Sequence, residues 1–166
     1  MGLPLIKVQL EQSHESINFK AKTEGLMDYI WSVNNNYYTE YNPKNYGIRK
    51  YSKSIYQGSF LGDINCNYNL SKLNLDCGEY IYDVDGSIQN IFTLLALLSK
   101  ENKKDFDSKW FEINHDGHSY KARFLFVKED YIFINNFNIL CNQFKLEIKK
   151  NNIDDIKLSP PDYFMD

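Results

Sequence analysis

Cysteine is the first residue type in this chain whose spacing could do chemistry. Residues 64–77 alternate between apolar and polar side chains on either side of a central loop, which predicts a β-hairpin. In that register Cys66 lies directly opposite Cys77, and directly opposed positions can approach the ~4.4–6.8 Å Cα separation of a disulfide. The pair is therefore either a disulfide or two buried free thiols that act as small apolar side chains. Cys141 is left over, and we expect it to be buried and inert.

Two histidines, His115 and His118, flank an Asp-Gly pair in a pattern that superficially resembles part of a metal site. Asp-Gly is typical of a two-residue hairpin turn, and two ligands at an exposed hairpin tip do not make a metal site. The chain has no Ser/His/Asp order, no glycine-rich phosphate loop and no HExxH motif. We therefore predict no metal, no cofactor and no enzymatic activity.

Aromatic side chains are the remaining candidates, since they make up 16% of the chain and cluster between residues 29 and 51. Such a cluster could line a pocket for a lipid or a glycan, or it could provide cross-strand pairs on half-buried strand faces. The candidate ligand-binding residues are Tyr29, Trp31 and Tyr37, together with Phe92 and Leu95 from the segment described next.

Residues 88–100 form the one segment that clearly predicts a helix. Apolar residues fall on every side of this segment, so the helix must be covered over most of its surface. Its apolar part is shorter than the ~20 residues that a membrane span needs. We therefore predict a core helix around which the strands wrap, with a helix that plugs a cavity as the alternative.

The rest of the chain alternates with the period of β-strands. A second hairpin is predicted around Asp116-Gly117, with Glu112 directly opposite Lys121, and residues 28–33 could be a strand or a helical turn. The predicted strands and hairpins cover residues 3–12, 17–24, 37–41, 48–59, 64–77, 110–127, 131–134 and 139–149.

Short connections between these strands favour an antiparallel, meandering order. The predicted fold class is mainly β: a curved antiparallel sheet or a (half-)barrel wrapped around one apolar α-helix at about 88–100. We expect a single domain over residues 1–150 and a loop-like C-terminal tail over 151–166.

Charge and hydropathy limit the range of partners. The formal net charge is −3, and no basic stripe or basic amphipathic helix is present, so we predict no nucleic-acid partner and no transmembrane span. Residues 1–10 lack a basic region followed by a long apolar run, so no signal peptide is predicted.

Three blocks of the sequence carry a resemblance to a known family. The first, residues 2–60, contains GLPLIKVQL, INFKAKTEGLMDYIW and YGIRKYSKSIYQGSF; the second is the acidic lead-in and apolar helix of residues 83–98; the third is NILCNQFK at 138–145. Together they resemble domain-of-unknown-function family 3108, bacterial cell-envelope β-proteins. The chain departs from that family in lacking a leader and an earlier strand at one end and further strands at the other.

The resemblance implies a periplasmic or outer-membrane-associated protein with a barrel-like fold, and it implies no activity. We expect a non-enzymatic envelope protein that binds a hydrophobic ligand, such as a lipid or glycolipid, in a barrel-like cavity. The alternative is a structural or assembly module that binds a protein partner through an open sheet edge.

Overall fold

A computed structural model describes residues 6–78, 80–116 and 118–151 of the chain. In these residues ten strands and three short helices follow one another. The helices are α1 (Leu26–Ile30), α2 (Ile91–Leu98) and α3 (Lys103–Phe106). The strands are β1 (Ile6–Gln12), β2 (Ser16–Thr23), β3 (Asn34–Tyr41), β4 (Ile48–Gln57), β5 (Phe60–Asn69), β6 (Asn74–Asp76), β7 (Ile81–Asp83), β8 (Trp110–His115), β9 (His118–Ile134) and β10 (Phe137–Lys150).

The strands form two antiparallel sheets. The first sheet has seven strands in chain order from β1 to β7, and the second has three strands in the order β10-β9-β8. Neither sheet closes into a barrel in the part of the chain described. The predicted mainly β, meandering antiparallel fold class is therefore confirmed. Of the two predicted alternatives, a curved sheet and a (half-)barrel, the structure shows the open sheet.

The predicted registers of both hairpins are confirmed. Tyr68 lies opposite Leu75 between β5 and β6, so the loop is centred where the alternation placed it. Glu112 lies opposite Lys121 between β8 and β9, and their side chains form an exposed ion pair of 2.9 Å. A one-residue slip would move every apolar side chain to the opposite face, which is why a short alternating segment specifies its register so strongly.

The helix α2 is shorter than the predicted 88–100, and its start is decided by hydrogen bonds. The side chain of Asn90 accepts a hydrogen bond from the amide of Thr93, and the hydroxyl of Thr93 accepts one from the amide of Asn90. This capping box ends the helix on its N-terminal side. The residues before Asn90 are engaged elsewhere, since the carbonyl of Ile88 accepts from the amide of Ile48 and Gln89 bridges to Ile113.

The core consists of two clusters that meet at α2. Ile91, Phe92 and Ala96 pack among the buried side chains of the seven-stranded sheet, whereas Leu94 packs with those of the three-stranded sheet. The half-buried Leu95 contacts both clusters. One helix therefore supplies apolar side chains to both sheets, which explains why its sequence is apolar on every side.

Other elements differ from the predictions. Residues 28–33 take the helical alternative in part, because α1 covers Leu26–Ile30. Strand β3 begins at Asn34, three residues before the start of the predicted strand 37–41. The predicted segments 118–127 and 131–134 belong to one continuous strand, β9. The charged residues 128–130 between them are exposed to solvent and do not interrupt the strand. The predicted tail lies outside the described residues beyond position 151, as do residues 3–5 of the predicted first strand.

Candidate binding groove

An open groove of about 420 Å³ lies on the inner face of the seven-stranded sheet, the face that α2 partly covers. Its lining is almost entirely apolar. The lining residues are Ile6, Val8, Phe19, Ala21, Trp31, Val33, Asn35, Tyr37 and Gln57.

Strand register brings these side chains together. Val8 of β1 lies opposite Ala21 of β2, and Ala21 lies opposite Asn35 of β3, so all three point to the same face. Tyr37 is the next residue on that face, because side chains alternate along a strand. The groove is thus the part of the inner face that extends beyond the reach of the eight-residue helix α2.

Aromatic rings separate the groove from the core. The ring of Phe92 on α2 lies 5.1 Å from the ring of Tyr37 and 5.8 Å from that of Phe19, measured between centroids. Phe92 is fully buried, so it packs beneath the two rings that line the groove. These distances lie within the ~4.5–7 Å range of favourable aromatic pairs.

Trp31 forms one wall of the groove and is positioned by the segment around α1. Gly25 precedes this helix with a φ of 67°, a left-handed conformation that glycine adopts without strain. Val33, two residues after Trp31, bridges to Gln57 at the end of β4. The indole ring of Trp31 packs against Gly58: a Cβ atom added to this glycine would lie 3.7 Å from the ring, which is ordinary van der Waals contact.

One polar atom distinguishes this groove from an ordinary gap in packing. Asn35 is only 6% exposed, and its side-chain oxygen accepts no hydrogen bond from any residue that the structure describes. A buried acceptor without a donor costs about 1–3 kcal/mol, so such an atom needs an explanation. Asn35 lines the groove, but this oxygen is itself buried, so a ligand in the groove would reach it only after the Asn35 side chain rotates.

The predicted ligand-binding residues occupy different environments. Trp31 and Tyr37 line the groove, and Phe92 packs beneath it. Leu95 lies between the two core clusters, and Tyr29 is 94% exposed on α1, away from the groove lining. Asn35 was not among the predicted site residues because the predicted strand began at residue 37, although Asn35 and Tyr37 do follow the alternation of a strand.

The cysteines also have defined positions. A disulfide joins Cys66 to Cys77, immediately beyond the paired residues Asn67 and Asp76. Cys141 is a free thiol and is half-buried on β10, so the expectation that it is buried is wrong. The reason is that β10 runs on beyond the core in this region.

A buried polar cluster lies where the β8–β9 turn meets the inner face of β4. Lys53 and Asp116 form an ion pair with side chains 2% and 7% exposed, and the hydroxyl of Tyr51 donates a 3.1 Å hydrogen bond to Asp116. His115 Nε2 lies 3.8 Å from the same carboxylate. The prediction that this hairpin tip is exposed is therefore wrong, because the tip docks onto the other sheet.

One tyrosine beside this cluster has a shifted pKa. Burial, with smaller contributions from Tyr80 and Asp116, raises the pKa of the nearby Tyr82 to about 12, so this phenol stays neutral at physiological pH. In the described ranges no group of three or more His, Cys, Asp or Glu side chains could hold a metal ion. The cluster is closed to solvent and connects the two sheets.

Comparisons with protein families, with curated proteins and with solved structures found no match to this chain. Among the residues described, no helix has the length and apolar character needed to cross a bilayer. The function must therefore be argued from the groove itself.

Proposed function

We propose that this protein binds an apolar small molecule that carries a hydrogen-bond donor, such as a lipid or glycolipid, in the groove beside Asn35, and that it does so without catalysis. The observation that supports this proposal is the buried oxygen of Asn35, which has no hydrogen-bond partner among the described residues, beside an apolar groove of about 420 Å³. Ligand sites are commonly concave and apolar, with a few polar groups that fix the orientation of the ligand.

The energetics favour a ligand that has both an apolar portion and a hydrogen-bond donor. Its apolar portion would displace water from the side chains that line the groove, at roughly 25 cal/mol per Å² of buried apolar surface. Its donor would satisfy the Asn35 oxygen and recover the desolvation cost already present in the empty protein. An alkane would gain only the first contribution.

An envelope location is part of this proposal. Disulfides persist in oxidising compartments such as the periplasm, and the Cys66–Cys77 bond supports such a setting. The resemblance to domain-of-unknown-function family 3108 favours the same location.

Fluorescence titration tests the proposal. In a Trp110→Phe background Trp31 remains as the single tryptophan and reports on the groove. We expect dodecanol to bind roughly three- to tenfold more tightly than dodecyl methyl ether, which lacks the donor. In Asn35→Leu the two ligands should bind equally, whereas Asn34→Leu, the same change at the exposed neighbouring position, should keep the preference.

Two results would contradict the proposal. If neither ligand changes the Trp31 emission up to its solubility limit, the groove does not bind such molecules. If Asn35→Leu retains the preference for the alcohol, the Asn35 oxygen is not the acceptor.

A second candidate function is the assembly module that binds a protein partner through an open sheet edge. It is favoured by β1, which has no strand neighbour on its outer side in the part of the chain described. Open edges of this kind are templates for pairing with another strand.

A further inference from the structure

The open edge of β1 lacks several features that commonly prevent edge-to-edge pairing. All seven of its residues are exposed, and its register with β2 is regular, without a bulge. Residues 6–12 contain no proline, and neither of its two charged side chains points to the inner face of the sheet. Natural edge strands are commonly protected by bulges, prolines or inward-pointing charges.

The inner face of β1 carries three exposed apolar side chains. Ile6, Val8 and Leu10 are 57%, 56% and 52% exposed, and they lie opposite the inner-face residues of β2. They continue the apolar surface of the core and of the groove out to the last strand of the sheet. A second strand beside β1 would cover part of this surface.

The sequence of β1 is complementary to itself when two copies run antiparallel. We propose that the partner of this edge is a second copy of the chain, paired about Gln9 across a two-fold axis. Lys7 then lies opposite Glu11 of the second copy, and the same pair recurs on the other side of the axis. On the inner face, Val8 lies opposite Leu10 of the second copy.

Other registers are less favourable. A shift by one residue opposes apolar side chains to polar ones, because directly opposed residues share a face. A shift by two residues removes the Lys7–Glu11 opposition, since Lys7 then faces Gln9 or Ser13. The shift that centres the pairing on Val8 keeps apolar against apolar, whereas the shift in the other direction places Val8 opposite Gln12. The register about Gln9 is the one that opposes Lys7 to Glu11, and it places Ile6 opposite Gln12 of the second copy.

The contacts that Lys7 and Glu11 make within one chain do not prevent this pairing. Lys7 lies 3.9 Å from Glu24, and Glu11 lies 3.8 Å from Lys20, with all four side chains substantially exposed. Exposed ion pairs of this kind contribute little to stability. Both side chains can therefore turn toward the second copy at small cost.

Pairing also affects the groove. Ile6 and Val8 line its open side, and Leu10 of the second copy would lie beside Val8. The inference rests on the second candidate function, assembly through a sheet edge, but in the paired form the second copy also completes the wall of the ligand groove.

Charge reversal and sedimentation equilibrium test the inference, with any affinity tag placed at the C-terminus. We expect the wild-type chain to dimerise, and Lys7→Glu or Glu11→Lys to weaken the dimer roughly tenfold or more, because two symmetry-related pairs become repulsive. The double variant Lys7→Glu/Glu11→Lys should recover most of the affinity. Lys44→Glu, with the same charge change in an exposed turn, should have no effect.

The double variant separates contacts between chains from those within one chain. It restores opposite charges across the two-fold axis, whereas the contacts with Glu24 and Lys20 stay reversed. Recovery of the dimer therefore supports pairing between copies. Two results would overturn the inference. One is a wild-type chain that stays monomeric at about 100 µM, a concentration at which even a weak dimer is populated. The other is a dimer that the single charge reversals do not weaken.

The ligand titration distinguishes this failure from failure of the groove proposal. A monomeric chain that prefers dodecanol through Asn35 would leave the groove proposal standing without the dimer. A charge-dependent dimer that binds neither dodecanol nor dodecyl methyl ether would support the dimer and contradict the groove proposal.

Discussion

Lys53 and Asp116 are almost inaccessible to solvent, and their ion pair connects β4 to the turn between β8 and β9. Removing one partner of such a pair leaves the other charge buried without compensation, which costs about 3–5 kcal/mol. Asp116 has a φ of 49°, a conformation that asparagine also tolerates. The substitution Asp116→Asn therefore changes the charge while keeping the turn.

We expect Asp116→Asn to lower the free energy of unfolding by about 3–5 kcal/mol in urea denaturation. The control is Glu15→Gln, which removes an exposed 3.2 Å pair with Arg49 and should cost less than about 1 kcal/mol. Equal losses in the two variants would contradict the expectation that the buried pair contributes more to stability than an exposed one.

At the scale of elements, β9 and β10 change character along their length. Near β8 their inner residues, such as Tyr120 and Phe124, are buried, but beyond the bulge at Val127 the two strands form a ribbon that is exposed on both faces. The ribbon turns at Asn135 and Asn136, whose φ values of 48° and 69° suit a tight hairpin turn. A two-stranded ribbon without a packed face is marginally stable in water.

Hydrogen exchange should therefore divide β9 in two. We expect backbone amides of residues 128–134 to exchange roughly a hundredfold or more faster than those of residues 118–124, after correction for intrinsic rates, because local opening costs little where no face is packed. Mass spectrometry of overlapping peptides measures this difference. Equal protection would mean that a second surface covers the ribbon in solution.

On the scale of the whole molecule, the two core clusters are not independent. Leu95, Leu146 and Ile148 pack against both, and the buried ion pair adds a polar connection between the sheets. Domains that share a core unfold as one unit. We therefore expect the predicted single domain over residues 1–150 to unfold as one unit.

Scanning calorimetry of the Lys7→Glu variant, in which dissociation adds no second step, should show one transition. We expect the calorimetric and van't Hoff enthalpies to agree within error, since loss of either sheet removes packing from the other. Two resolved transitions would show that the seven-stranded and three-stranded sheets fold separately.

Much of the strand architecture could be predicted because its determinants are local. The alternation around Glu112 and Lys121, and the opposition of Cys66 to Cys77, follow from a two-residue period and a short turn. The capping signal at Asn90 was also present in the sequence, but the helix start was predicted too early. Its position depends on hydrogen bonds that residues 88 and 89 make with distant strands.

The sequence by itself determined the antiparallel meander, the two hairpin registers and the existence of α2, because alternation and apolar periodicity act over a few residues. Tertiary structure decided which side chains are buried: Asn35 in the groove, and Lys53 with Asp116 between the sheets. Burial of these polar groups depends on contacts between segments far apart in the chain, and no local pattern encodes such contacts. The groove exists for the same reason, since it lies where a short helix covers only part of a wider sheet.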